Sequence, residues 1–326
     1  MPESAPGPDQ AIPVTLLTGA LGAGKTSLLN TLLTGQMPEG TAVIVNELGD
    51  IAVDGALVVD INGPLVVLAG GCLCCAVRGA LVDTLRDLFL KALRREIPPI
   101  RHLLVETTGL ALIPPLRHAL SADFFVAQRF RLSSVITVVD VGNLPDQLAT
   151  LPEVRDQIIQ ADVLVLGKTD LASPDDVIQA REILRSLNPL APIHDRRDLP
   201  SAARLLAPAE ASGPRIYPLS PAHGTDVHSM VLVAPEPLPW GAFVEALDGL
   251  LAAQGDWVLR LKGWLSVRGL PGLRIVQAVH HRRYPSVDLP EAPSVEGQLV
   301  VIWRGLTPEQ ITSPLAAWFR RSEDAA

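Results

Sequence analysis

Near the N-terminus, Gly19-Ala20-Leu21-Gly22-Ala23-Gly24-Lys25-Thr26 follows the pattern G-x-x-x-x-G-K-[ST]. Each residue type answers a need of polyphosphate binding. Gly19, Gly22 and Gly24, with the small Ala23 between them, let successive backbone N–H groups turn inward on the phosphates. Lys25 supplies a cation for the β- and γ-phosphates, and the Thr26 hydroxyl is a Mg²⁺ ligand. Ser27 lies on the first turn of the helix that should follow, whose N-terminal partial charge favours anions. Only four lysines occur among the 27 basic residues of the chain, and one stands where the pattern requires it.

A second lysine stands in Gly167-Lys168-Thr169-Asp170, which resembles the guanine motif N-K-x-D with glycine in place of asparagine. A carboxylate at Asp170 accepts from the N1–H and 2-amino donors of guanine, which adenine lacks. The stem of Lys168 is placed to cover one face of the base. GTP and GDP are therefore the expected nucleotides. Two acidic segments follow predicted strands. Asn46-Glu47-Leu48-Gly49-Asp50 occupies the position of a first switch loop. Glu106-Thr107-Thr108-Gly109 could complete the Mg²⁺ shell or orient a water through Glu106, with Gly109 free to move as the γ-phosphate comes and goes.

All three cysteines fall within four residues, at Cys72, Cys74 and Cys75, just before a helix predicted from about Val77. A helix N-terminus lowers thiol pKa, and thiolates suit Zn²⁺ or another borderline ion such as cobalt. Three sulfurs so close leave the fourth ligand to another residue or to water. Such a site suits a metal that must leave again.

The elements that must position these groups are legible in the apolar pattern. Strands are predicted at Val14–Thr18, Ala42–Asn46, Leu65–Leu68, Leu103–Glu106, Val135–Asp140 and Val163–Leu166. They are nearly continuous apolar runs, as in a parallel sheet covered on both faces. Helices are predicted at Lys25–Leu33, Val77–Arg95 and Pro174–Leu187, the last with Ser173 as N-cap. Together these define an α/β nucleotide-binding fold over residues 12–200 after a flexible N-terminus of residues 1–11. Residues 201–225, rich in Ala, Pro, Ser and Gly, are read as a last strand (Arg215–Leu219) and a linker. Residues 226–326 are read as a smaller α+β domain. Its strands are Val227–Val233, Val258–Val267, Leu273–Val279 and Leu299–Arg304, and its helices Trp240–Ala253 and Pro308–Phe319.

Composition narrows the partners. A formal net charge of −8 over 326 residues argues against nucleic-acid binding. No apolar run is long enough to span a bilayer, and Met1–Gln10 lacks the basic and apolar regions of a signal peptide. A cytoplasmic protein with reduced thiols is expected.

Taken together, these segments resemble the CobW-type metallochaperone GTPases of the SIMIBI class. Gly71-Cys72-Leu73-Cys74-Cys75 after a phosphate loop is the most specific mark, and Val138-Val139-Asp140, Leu259-Arg260-Leu261-Lys262-Gly263 and Leu299-Val300-Val301-Ile302-Trp303 extend the likeness over nearly the whole chain. The resemblance implies a GTPase that binds Zn²⁺, or in some members cobalt, and delivers it to a client metalloprotein; a homodimer is compatible with it. By position, Cys72, Cys74 and Cys75 would be the metal thiolates, with Glu47 an oxygen ligand or a coupling residue. Two departures stand out. Gly167 replaces asparagine, and the His-rich tract of some members is absent, His280-His281 being the one adjacent pair among seven histidines. A metal sensor gated by nucleotide and a small-molecule kinase are the competing readings, and the kinase leaves the cysteines and Asp170 unexplained.

Overall fold

The computed structural model of the chain describes residues 11–35, 37–46, 65–68, 76–207, 226–290, 292 and 296–322. The chain divides into two compact units. The described residues of the first fall within 1–177 and 192–209, those of the second within 178–191 and 210–326.

The chain runs β1 (Ile12–Thr18), α1 (Lys25–Thr34), β2 (Thr41–Asn46), β3 (Leu65–Leu68), α2 (Ala76–Leu93), β4 (His102–Glu106), α3 (Ile113–Ala122), α4 (Phe124–Ala127), β5 (Phe130–Asp140), α5 (Leu144–Thr150), α6 (Pro152–Gln160), β6 (Val163–Gly167), α7 (Pro174–Leu187), β7 (Ile193–Asp195) and α8 (Ala202–Leu206), all in the first unit except α7, whose residues from Ile178 onward fall in the second. The strands of the first unit form one sheet in the order β3-β2-β4-β1-β5-β6-β7, and every pairing is parallel. Both faces are covered, so the strands are apolar throughout: Val14, Leu16, Leu17, Leu103 and Leu104 are fully buried. On one face Leu81, Leu85 and Leu88 of α2 and Ile113, Leu116 and Leu120 of α3 pack against Val14, Leu16, Ile44 and Val105. The helical spacing of the α2 leucines is what makes that face continuous.

The order of the strands reverses around β1, with β4 on one side and β5 on the other. In such sheets the ligand crevice opens at the carboxyl ends of the strands beside that point. The register sets the ends of β1 and β4 level with each other, since Leu17 pairs with Glu106, while β5 and β6 end together at Asp140 and Gly167, beyond Thr137, which pairs with Thr18 at the end of β1.

Four helices, α3 to α6, occupy stretches in which the sequence pattern shows no clear helix. All are short, and three carry proline at their first turn. Proline reads as a breaker in sequence, yet at a first turn it removes only an N–H that has no intrahelical partner. Ser173 caps α7 as expected: its hydroxyl and its N–H both bond Asp176, whose own N–H returns to Ser173 Oγ.

The second unit contains β8 (Val227–Ala234), α9 (Trp240–Gln254), β9 (Val258–Leu265), β10 (Leu273–Val279), β11 (Arg282–Arg283), β12 (Val287–Leu289), β13 (Gly297–Arg304), α10 (Pro308–Thr312) and β14 (Arg320–Arg321). Its sheet is antiparallel, in the order β11-β10-β9-β13-β8-β14, with β12 also on β10. Phe243, Leu247, Leu250 and Leu251 of α9 fill one face against Leu232, Leu261, Val276, Leu299 and Val301. On the other face Leu190 joins Val231, Val233, Trp264, Ile275 and Val300. Residues 178–191 thus group with the second unit, although they precede the linker stretch in sequence. The last expected helix is shorter than Pro308–Phe319. It stops at Thr312 and passes into a 3₁₀ turn over Ser313–Leu315, because Pro314 has no N–H to continue the helical ladder. The expected strand at Arg215–Leu219 lies outside the described residues.

Candidate functional site

Between β1 and α1 the chain turns through three left-handed glycines, Gly19 (φ 139°), Gly22 (φ 73°) and Gly24 (φ 99°), a conformation that costs glycine little. At Gly19 an added Cβ would lie 2.2 Å from the Val138 carbonyl oxygen, so the loop needs glycine there for space as well. Lys25 is buried and folds back over the loop, its Nζ donating to Gly19 O and Ala20 O at 2.9 Å each. Burial holds its pKa below the ordinary lysine value, against the opposing pull of Glu106. Desolvation disfavours the charged form, and an arriving phosphate would restore it.

Thr26 Oγ1 donates to Glu106 Oε1 at 2.8 Å, joining the start of α1 to the end of β4. Glu106 is buried. A hydroxyl and a carboxylate in contact at a helix N-terminus are a hard oxygen pair of the kind Mg²⁺ takes beside a polyphosphate. The segment after Glu106 packs directly on the loop. Thr107 Oγ1 donates to Thr18 Oγ1 at 2.9 Å, and a Cβ at Gly109 would come within 2.4 Å of the Leu21 nitrogen. Thr108 Oγ1 is buried without a hydrogen-bond partner among the described residues, which fits a place that a ligand or its water completes. From α6, Gln157 Nε2 donates to Gly109 O and Ala111 O, at 3.1 and 3.0 Å.

Residues 168–170 follow β6, which lies on the other side of β1 from β4. Lys168 takes a left-handed conformation (φ 57°), and its Nζ reaches the buried Asp140 at 2.7 Å. Asn143 Nδ2 donates to the same Asp140 oxygen at 3.0 Å. Asp170 is exposed to solvent. Thr169 Oγ1 donates to Asp195 Oδ1 at 3.0 Å. Arg197 grips the same carboxylate through Nε and Nη2 and is the first cause of its pKa falling to about 2, within the usual behaviour of a bidentate pair. Gly167 touches the phosphate loop: a Cβ there would sit 2.6 Å from Ala23 O. The position that departs from N-K-x-D is therefore one where this packing leaves no room for a side chain.

Gly19, Gly22, Ala23, Gly24, Lys25, Thr26, Ser27, Glu106, Lys168 and Asp170 thus lie at or after the carboxyl ends of β1, β4 and β6 in one sheet. Cys72, Cys74, Cys75 and Glu47 lie outside the described residues. Among the described residues no group of three or more His, Cys, Asp or Glu side chains converges. His280 and His281 are engaged elsewhere, with Gly255 O, Leu251 O and Asp256. Sequence reasoning passed over Arg196, Asp195 and Gln157. The first two sit in a charged run, Asp195-Arg196-Arg197-Asp198, that reads as solvated surface, and the third lies in a helix the pattern did not show.

A parallel sheet whose central strand feeds a glycine loop and a lysine-bearing helix defines a P-loop nucleotide-binding protein. Residues 13–195 match the CobW/HypB/UreG nucleotide-binding domain, and residues 227–318 match the cobalamin synthesis protein CobW C-terminal domain. The chain belongs to the CobW family. It is 31% identical over 317 residues to zinc chaperone YjiA of Escherichia coli (strain K12), covering 94% of this chain and 98% of that protein. It is 32% identical over 315 residues to zinc chaperone CobW of Pseudomonas aeruginosa, covering 83% and 81%. With the zinc-regulated GTPase metalloprotein activator 1 of Schizosaccharomyces pombe it shares 34% identity over 189 residues, 56% of this chain and 45% of that one. The crystal structure of the Zn(II)-bound YjiA GTPase from E. coli superposes with a TM-score of 0.68 at 28% identity, covering 94% of this chain and 99% of that one.

Proposed function

We propose that this chain is a GTP hydrolase that carries Zn²⁺, or cobalt, to a client metalloprotein, with binding of the metal coupled to the state of the nucleotide. The phosphate loop carries the reading: three left-handed glycines with Lys25 folded over them, in contact with Glu106 through Thr26. Lys25 would hold the β- and γ-phosphates, and Thr26 and Glu106 would hold Mg²⁺, which neutralises charge on the transferring phosphoryl group. Lys168 and Asp170 would receive the guanine. The family membership and the zinc chaperones among the relatives support the metal cargo.

The ion is substrate rather than resident cofactor. Cys72, Cys74 and Cys75 supply its thiolates in this reading, with Glu47 as a further ligand or coupling residue. Their segment lies in sequence between Asn46 at the end of β2 and Glu106 at the end of β4, which pair with the same sheet. Contacts to the γ-phosphate at those strand ends would then change metal affinity, and linkage requires metal to change GTP affinity by the same factor. Zn²⁺ affinity measured with a non-hydrolysable GTP analogue, with GDP and without nucleotide is expected to differ at least fivefold between the first two states. Simultaneous replacement of Cys72, Cys74 and Cys75 by serine is expected to abolish the tight site in every state. Equal affinities in all three states would remove the coupling, and an undiminished site in the serine variant would remove the thiolates.

A further inference from the structure

The stretch after β7 reaches the phosphate loop from the side of the base. Asp195 holds two things at once: Thr169 of the base loop, and the 3₁₀ turn of residues 196–198, whose Arg197 N–H it accepts at 2.8 Å. That turn directs Arg196 over the first turn of α1. Its Nη2 donates to Ser27 O at 3.3 Å, and its Nη1 lies 3.7 Å from where a Cβ on Gly24 would stand. Arg196 is half-buried, and a guanidinium carries five N–H donors, so one bond to Ser27 leaves others to face a ligand.

The location narrows which group that is. Lys25 turns toward Gly19 and Ala20, the part of the loop that packs on Gly109. Arg196 arrives at Gly24 and Ser27 from the opposite flank, the one occupied by Gly167–Asp170. A nucleotide with its terminal phosphates at Lys25 and its base at Asp170 must pass its α-phosphate between them. An unpaired phosphate oxygen there calls for a fork-shaped cation more than for a point charge. Gly167 has no room for a side chain that could brace the nucleotide from the base loop, so the bracing must come from another element.

We infer that Arg196 is a nucleotide-binding residue that grips the α-phosphate of the guanine nucleotide, tying the base loop to the phosphate loop through Asp195. The inference rests on the phosphate site described under Proposed function. The α-phosphate is common to GDP and GTP, so the contact strengthens both equally and does not report hydrolysis.

The test is equilibrium binding of GDP and of a non-hydrolysable GTP analogue to the full chain and to its R196A, R196K and K25A variants, at several salt concentrations. R196A is expected to weaken both nucleotides by the same factor, about tenfold for a charge-assisted bond. R196K is expected to recover part of that loss. The salt dependence of binding should fall in R196A, as one phosphate contact is removed. If R196A changes neither affinity by more than twofold, or weakens only one of the two nucleotides, the inference is overturned. An R196A protein that weakens both while R196K recovers nothing and the salt dependence is unchanged also overturns it, because a merely structural residue behaves that way. K25A separates the two claims. Loss of the analogue in K25A with no effect of R196A sinks only the role of Arg196, whereas unchanged binding in K25A sinks the phosphate site itself.

Discussion

At the scale of the residue, Gly167 shows how local packing overrides a motif. An asparagine at that position would be expected to add hydrogen bonds to the loop and the base. Here its Cβ would stand 2.6 Å from Ala23 O and 3.3 Å from Val138 Cγ1. The first neighbour is backbone of the phosphate loop and has no rotamer to escape into, and overpacking of that kind typically costs about 1–3 kcal/mol. Gly167→Asn, which restores the usual motif, is therefore expected to lower both the melting temperature and the affinity for GDP. A variant that melts no earlier and binds GDP more tightly would show that the loop has slack the geometry does not reveal. The same reasoning gives Lys25 its place. Buried, with its charge disfavoured by desolvation, it gains most when an anion arrives.

At the scale of the element, α6 secures the segment that follows β4. Helix α3 begins after Leu112, which offers no side-chain cap, and Asp156 of α6 accepts the Ile113 N–H at 3.2 Å in its stead. Its neighbour Gln157, fully buried, holds the Gly109 and Ala111 carbonyls. Two adjacent residues of one helix thus fix both ends of residues 109–113. Burial pushes the Asp156 carboxyl up to about 6, opposed by the Ile113 N–H and by Arg117. A carboxyl whose folded pKa lies above its unfolded value near 3.8 binds its proton more tightly in the fold. Stability contributed by that proton is present below pH 4 and is lost as pH rises from about 4 to about 6. Asp156→Asn keeps an acceptor for Ile113 and has no proton to lose. Chemical denaturation of the two proteins across pH 4 to 7 should show the variant gaining on the parent as pH rises. Parallel stability curves would mean that Asp156 titrates normally.

At the scale of the whole molecule, segments distant in sequence complete each unit. Leu190 follows α7, yet it fills the face of the second sheet formed by Val231, Val233, Trp264, Ile275 and Val300. All five tryptophans, at 240, 257, 264, 303 and 318, belong to the second unit, so their fluorescence reports that unit alone. Leu190→Ala opens a cavity in a buried cluster and is expected to cost about 2–4 kcal/mol. In urea, the tryptophan transition of the variant should move to lower denaturant by that amount. An unmoved transition would show that Leu190 contributes nothing to the second core.

Much of the first unit was legible in the amino-acid order, because its signals are local. Short continuous apolar runs rich in β-branched residues read as strands covered on two faces. G-x-x-x-x-G-K-T needs no partner to announce a phosphate loop, and a leucine stripe marks α2 wherever it packs. The helices α3, α5 and α6 were not legible, since proline at a first turn looks the same as proline in a break until the chain's path is known, and α4, a single turn of four residues, is too short to show a period. Nor was the assembly of the site. Glu106 meets Thr26, Asp195 meets Thr169, and Arg196 meets Ser27 across 80, 26 and 169 residues of chain. Only strand order and register bring such groups within hydrogen-bond reach. Sequence alone determined which residues have the chemistry to hold a nucleotide; the tertiary structure decided which of them meet, because hydrogen bonds act over three ångströms and the chain between their partners can be of any length.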